Sequence, residues 1–306
     1  MYPNKPQSGR LCDLWEGKVS ELVSLPDLNL TEEEKERHRI YSSLLLSILI
    51  SFWNGNKRGP GTYHWQKNPE VGNYLGHNIA ALAVDGNGEV IDFEFNHNEL
   101  FNSSAEHAEA RLVRRIFSLA GLYDGWQMGT KQQGKNYSAV LTDVTIYTTL
   151  ESCSQCSGIM ALGLVKAVVF LQRDPGQSSI GNILHNLGPI GDKYLPPLPI
   201  PGDYIDMQCF SKLEKSYKEY VKVVSSGTPY WTSPKGIEDK STSITSFLCT
   251  DNAKEIFMEE TAMNNLRYPD YKPNEQSLNN SDVLIHTQRF LQYVITCGKR
   301  GTPHRD

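Results

Sequence analysis

Two short stretches, Glu106-His107-Ala108-Glu109 and Cys153-Ser154-Gln155-Cys156, constrain this 306-residue chain more than any other feature. Each opens a predicted helix. Cysteines three apart in a first helical turn aim both sulfurs at one point off the helix end, where free N–H groups and the dipole favour thiolates. His107 and Glu109 are two apart, which on a regular helix puts them roughly 200° around from each other. They share a site only if His107 sits at or just before the first turn. A fold that serves both stretches has to bring two helix entrances together.

One imidazole and two thiolates are three ligands for a tetrahedral zinc ion, and the fourth position stays open, as in catalytic rather than structural sites. Water in that position becomes acidic enough to attack near neutral pH. Glu109 is the candidate carrier of its proton. His-x-Glu followed by Cys-x-x-Cys resembles the signature of the zinc deaminases, which carries a proline before its first cysteine. A structural zinc would need a fourth protein ligand, for which His97, Cys209 and Cys249 are the available residues.

The elements around these stretches come from patterning. Thr31 and Glu34 form a capping box that opens a helix running to about Phe52, apolar nearly all round from Leu44 onward. A Gly/Pro loop comes next at 54–61. Residues 79–84 and 90–95 read as a hairpin turned at Asp85-Gly86-Asn87-Gly88. Its second strand alternates Ile91, Phe93 and Phe95 with Asp92 and Glu94, which suits a sheet edge. The helix from Glu106 is expected to end at Gly121, with Arg111, Arg114 and Arg115 on a solvated face. Residues 122–138 read as a surface insertion, 140–150 as a strand, 153–164 as a helix and 166–171 as a strand. Residues 174–203 read as an irregular Gly/Pro connection, and 210–224, 244–266 and 282–296 as helices. The domain reading is an arm at 1–30, a core at 31–175, a connection at 176–208 and a mainly helical C-terminal extension at 209–306.

The net charge of −5 argues against a protein that grips nucleic acid by bulk positive charge. Leu44 to Trp53, the greasiest run, is about half the length of a spanning helix. No export signal stands at the N-terminus, and the six cysteines form no disulfide framework, so a reducing cytoplasm is the expected location and no membrane partner is expected. A secreted deaminase would need a delivery module. Lys57 and Arg58 are weak candidates for phosphate. Trp53, Tyr63, Trp65 and Phe101 are candidates for stacking on a base. Cys12, Cys209, Cys249 and Cys297 read as plain buried thiols.

His107-Ala108-Glu109 with Thr149-Leu150-Glu151-Ser152-Cys153-Ser154-Gln155-Cys156-Ser157-Gly158 resembles the cytidine deaminase superfamily, above all deoxycytidylate deaminases and tRNA adenosine deaminases. Lys166 to Phe170 and Arg173-Asp174-Pro175 are similar to the residues those enzymes carry after their second motif, and the resemblance covers about residues 31–175. It implies an α/β three-layer sandwich whose mixed sheet has strand order 2-1-3-4-5. It also implies His107, Cys153 and Cys156 as ligands of one zinc ion, Glu109 as proton shuttle, and Asn96 with Ala108 as substrate contacts. A nucleoside or nucleotide, or a base within nucleic acid, is the implied substrate, and a homo-oligomer the implied assembly. Two departures stand out. Ser152 replaces the family's usual proline, with a hydroxyl able to cap the same helix. The half-sites lie 46 residues apart (153 − 107), longer than usual, and the 122–138 insertion accounts for it. The rival from another class is a non-catalytic deaminase-like protein that binds a nucleotide or a partner.

Overall fold

The computed structural model describes residues 19–55, 75–125, 140–188, 195–232, 236, 238–261, 263 and 265–297, with side chains at 19, in 119–125 and at 297 left aside. Its elements are α1 (Val19–Val23), α2 (Glu32–Ser51), β1 (Ala80–Val84), β2 (Val90–Phe95), α3 (Ala108–Gly125) and β3 (Thr145–Thr148). They continue with α4 (Ser154–Leu162), β4 (Ala167–Phe170), α5 (Ile180–Leu187), β5 (Leu198–Pro201) and α6 (Gln208–Ser225). Last come the small hairpin β6 (Trp231–Thr232) and β7 (Glu238–Asp239), then α7 (Ile244–Phe247), α8 (Asp251–Met258) and α9 (Asn280–Cys297).

Five strands form one sheet in the order β2-β1-β3-β4-β5, as the resemblance implied. β1 runs antiparallel to β2 and β3, whereas β4 and β5 run parallel to β3. Helix α2 lies on one face with α8 and α9 against it, and α3, α4 and α5 cover the other. The Thr31 capping box is present, with Thr31 N–H donating to Glu34 Oε2 at 2.9 Å. Leu45, Leu46, Ile48 and Leu49 of α2 are fully buried, each worth about 1.5–3 kcal/mol of transfer free energy. Ala80 pairs with Phe95, and Ala81 with Thr148. The start of β1 and the ends of β2 and β3 therefore share one end of the sheet, and both motif helices begin there.

Several expectations are corrected. Arg111 and Arg115 are not a solvated face. Arg115 Nε lies 2.9 Å from Asp92, and its other end pairs with Glu94. Arg111 bridges Glu94 at 3.4 Å and Glu106 at 2.7 Å. Asp92 and Glu94 are fully buried, so the polar side of β2 faces α3 and is neutralised by it. Arg114 does remain half in solvent, paired with Glu106. Helix α3 runs past Gly121 to Gly125, since an interior glycine costs only about 1 kcal/mol.

The stretch 174–203 is not an irregular connection. Asp174 caps a short 3-10 helix at Pro175–Gln177, α5 comes next, and Leu198-Pro199-Ile200-Pro201 is the fifth strand. Prolines argue against a strand interior, but an edge strand bonds through every second residue only. Leu198 N–H donates to Lys166 O, and Gly202 N–H to Phe170 O at 2.8 Å. Pro199 and Pro201 fall at the positions that need no donor.

Within the arm, residues 19–23 are helical. α1 is held by Asn182 and Asn186 of α5, whose amides donate to Val23 O and to Leu22 O. The 244–266 stretch is two short helices, because Thr250 caps α8 afresh by accepting from Ala253 N–H. The C-terminal elements are stitched to α2. Buried Glu36 accepts from Arg267 N at 2.6 Å and Tyr268 N at 2.9 Å, and Arg37 Nη1 donates to Leu278 O at 2.8 Å. Gly88, at φ +95°, closes the β1–β2 turn where a side chain would strike the Arg37 guanidinium. Among the described residues, no helix is long and apolar enough to cross a membrane.

Candidate active site

Helix α3 begins soon after the end of β2, and Asn96 fixes how. Asn96 is buried, and its Oδ1 accepts from Ala108 N–H at 2.7 Å, satisfying one of the free donors of the helix entrance. His107 O accepts from Arg111 N–H, so His107 is the residue just outside the helix and Glu109 lies in its first turn. His97 N–H donates to Glu106 O at 2.9 Å and ties the same entrance to the β2 end.

Helix α4 begins at the end of β3. Cys153 occupies the cap position with no capping bond from its side chain, and buried Cys156 lies in the first turn. Ser154 N–H donates to Gln177 Oε1 at 3.2 Å, and Gln155 Nε2 donates to Ala105 O at 2.9 Å. The second of these bonds crosses from one motif to the lead-in of the other. Glu151 is structural: its Oε2 accepts from Asp174 N–H at 3.0 Å.

The two entrances meet. His107, Cys153 and Cys156 each offer a ligand atom, and these atoms lie within 4.8 Å of one another. His107 Nδ1 stands 3.3 Å from Cys153 Sγ and 3.6 Å from Cys156 Sγ. A tetrahedral zinc with ordinary bond lengths separates nitrogen and sulfur ligands by about 3.6 Å, so the donor set fits the ion. The electrostatics fit too. The contact with Cys156, then that with His107, pulls Cys153 down to about 4, while that same contact and burial push Cys156 up. The hydrogen bond with Cys153 raises His107 against the opposing effect of burial. His97, Cys209 and Cys249 stand outside this cluster.

Glu109 is almost fully buried beside it. Its Oε2 lies 3.5 Å from Cys156 Sγ, and its Oε1 accepts from Ser152 Oγ at 2.9 Å. Burial raises its pKa, the direction a proton carrier working near neutral pH needs. Ser152 therefore does not cap α4 as expected: its hydroxyl is spent on Glu109 in the neighbouring helix. No sequence signal separated those two uses of a serine at a helix entrance. Asp174 is a half-buried carboxyl whose pKa burial raises first and the charge on Cys153 raises further.

Of the remaining candidates, Phe101 is exposed, with the Arg111 guanidinium 5.2 Å from its ring centre. Trp53 packs against the core, and Cys209 and Cys249 are buried thiols. Cys12, Lys57, Arg58, Tyr63, Trp65 and the insertion at 126–138 lie outside the described residues, as does the Cys297 side chain.

Residues 69–187 match the MafB19-like deaminase family model. Among solved structures, the chain is similar to one from a study of A-to-I editing by tRNA:A34 deaminases, at 20% identity. That likeness covers 41% of this chain and 82% of the other at a TM-score of 0.31. A guanine deaminase from Bacillus subtilis is similar at 22% identity over 35% of this chain and 57% of its own, TM-score 0.27. A Thermotoga maritima diaminohydroxyphosphoribosylaminopyrimidine deaminase and 5-amino-6-(5-phosphoribosylamino)uracil reductase is similar at 18% identity, over 63% and 44%, TM-score 0.33. The chain thus spans less than two thirds of the latter two proteins. No curated protein sequence matches it.

Proposed function

We propose that the protein is a zinc-dependent hydrolytic deaminase of the cytidine deaminase-like superfamily, a reading supported by the match of residues 69–187 to the MafB19-like deaminase family model. Its substrate is a cytosine- or adenine-type base carried in a nucleoside or nucleotide. The observation that carries this reading is the meeting of His107, Cys153 and Cys156 beside a buried Glu109 whose pKa burial raises.

His107, Cys153 and Cys156 would hold the zinc, which when bound would supply the Lewis acidity that makes water a nucleophile near neutral pH. Glu109 accepts a proton from the attacking water and passes it to the ring nitrogen next to the carbon under attack. It then carries a second proton to the leaving amine, so that base and water become a carbonyl and ammonia. Low exposure of Glu109 keeps that proton from bulk solvent. Asn96 and Ala108 are the proposed substrate contacts. With Asn96 Oδ1 already bonded to Ala108 N–H, the Asn96 Nδ2 is the amide atom left for a base carbonyl or sugar hydroxyl.

Ammonia release screened over cytosine, adenine and guanine nucleosides, nucleotides and short single-stranded oligonucleotides tests the reading. Turnover of oligonucleotides alone would move the substrate to a base within nucleic acid. Freshly purified protein is expected to carry about one zinc per chain. Glu109→Ala is expected to keep that zinc and lose about 100- to 10,000-fold in rate. Zinc near zero in the wild type sinks the mechanism. Full zinc with no ammonia from any substrate favours a deaminase-like binding protein. A homo-oligomer, carried over from the resemblance, is checked by light scattering.

A further inference from the structure

Ser152 stands where the resemblance leads one to expect proline, and its surroundings give the hydroxyl one orientation. The residue is buried, at 5% exposure. Its carbonyl accepts from Ser157 Oγ at 3.2 Å, one turn into α4, and Ser157 N–H is bonded to Cys153 O at 2.8 Å. The backbone on which the hydroxyl rides is thereby clamped to the first turn of the cysteine helix. The hydroxyl reaches across to the other motif helix and donates to Glu109 Oε1 at 2.9 Å.

Two side chains thus meet the Glu109 carboxyl from opposite ends. Ser152 holds Oε1, and Cys156 Sγ lies 3.5 Å from Oε2. A carboxyl group turns about its last bond with a broad, shallow preference. The carboxyl also bonds its own backbone N–H, and the hydrogen bond from Ser152 to Oε1 is the side-chain contact that sets where Oε2 points. Held by Ser152, Oε2 faces the His107, Cys153 and Cys156 cluster, the side on which the reacting water belongs. Proline offers no hydroxyl and cannot make this contact.

We propose that Ser152 is a positioning residue for Glu109, its hydroxyl setting the rotation of the carboxyl so that Oε2 faces the metal cluster. This rests on the deaminase reading for its catalytic consequence but not for its geometry. Ser152→Ala, Ser152→Thr and Ser152→Pro test it, each measured for zinc content, melting temperature, kcat and KM. A crystal structure of the wild type and of Ser152→Ala reads the carboxyl directly. Ser152→Ala is expected to keep its zinc and its KM and to lose about 10- to 100-fold in kcat, the scale of a misaligned catalytic group. Ser152→Thr, which restores a hydroxyl, is expected to recover most of that loss. Ser152→Pro is expected to behave as the alanine variant does, with its zinc retained. In the crystal structures, Oε1 is expected within hydrogen-bond distance of Ser152 Oγ in the wild type and turned away in Ser152→Ala.

A carboxyl that keeps its orientation in Ser152→Ala overturns the proposal. So does a kcat that falls only in step with lost zinc, or a threonine variant no better than alanine. If the wild type releases no ammonia from any substrate, the deaminase reading falls, and the carboxyl orientation in the two structures still decides the role of Ser152.

Discussion

The two faces of the central sheet are closed by different means. Under α2 the contacts are mostly apolar, with His38 Nδ1 and the Tyr147 hydroxyl paired at 2.8 Å and the Arg37 guanidinium set against the β1–β2 turn. Under α3 the sheet presents Asp92 and Glu94, and the helix answers with Arg111 and Arg115. Apolar packing tolerates small rotations of a helix, whereas paired charges fix angle and height, because a displaced guanidinium leaves a carboxylate uncompensated in a dry interior. The helix that must place His107 and Glu109 is the one held by charges. Its partner across the sheet meets the strands mainly through leucine and isoleucine, while its buried Glu36 and Arg37 bond the C-terminal segment.

The largest effect is expected where the charged face meets the chemistry. Cys156→Ala removes one of the three proposed ligands, so zinc per chain is expected to fall to near zero and the proposed deamination with it, read by metal analysis and ammonia release. Next comes the charge lattice. Arg115→Met strands Asp92 in the interior and is expected to cost about 3–5 kcal/mol in urea unfolding. Replacing Asp92 by leucine in the same protein is expected to restore most of that stability. If the charges set the helix angle, zinc affinity in the double variant stays weakened. Full recovery of affinity would reduce the two faces to equivalents.

The mostly apolar face is separated from the charged one by acid. Burial, then Lys166 and Arg37, lower His38 from 6.5 to about 4. Below 6.5 the unfolded chain takes up a proton that the folded protein refuses. Stability from this group is therefore whole above pH 6.5 and lost as pH falls towards about 4, by at most about 1.4 kcal/mol per unit. His38→Gln is expected to show a flatter loss of stability across that window than the wild type. The smallest change is at the helix entrance: Asn96→Ala is expected to cost about 1–2 kcal/mol, the value of a lost cap, with zinc bound more weakly.

Much of this was legible in the residues. The capping box of α2, the hairpin and the strand order implied by the motifs all correspond to what the chain forms. What periodicity hides is the partner. Arg111 and Arg115 lie off the apolar stripe of α3, and a pattern of one helix cannot say that the sheet beneath presents two carboxylates. Asp92 and Glu94 had looked like the outer side of an edge strand for the same reason. Proline at 199 and 201 masked β5, because sequence alone does not tell which backbone groups a strand needs. In the site, the cysteine and histidine spacing pointed to their convergence, while the contact from Ser152 to Glu109 depends on how two helices from distant parts of the chain are set side by side.

The alternating prolines of β5 also govern how this molecule meets others of its kind. A sheet ends safely only if its last strand cannot recruit another, and exposed N–H groups are what a passing strand pairs with. Pro199 and Pro201 remove two such groups from the rim of β5 while its inner bonds to β4 stay intact. Growth of the sheet by addition of a strand is obstructed on that side. Copies that assemble, or chains that misfold and aggregate, must use another surface.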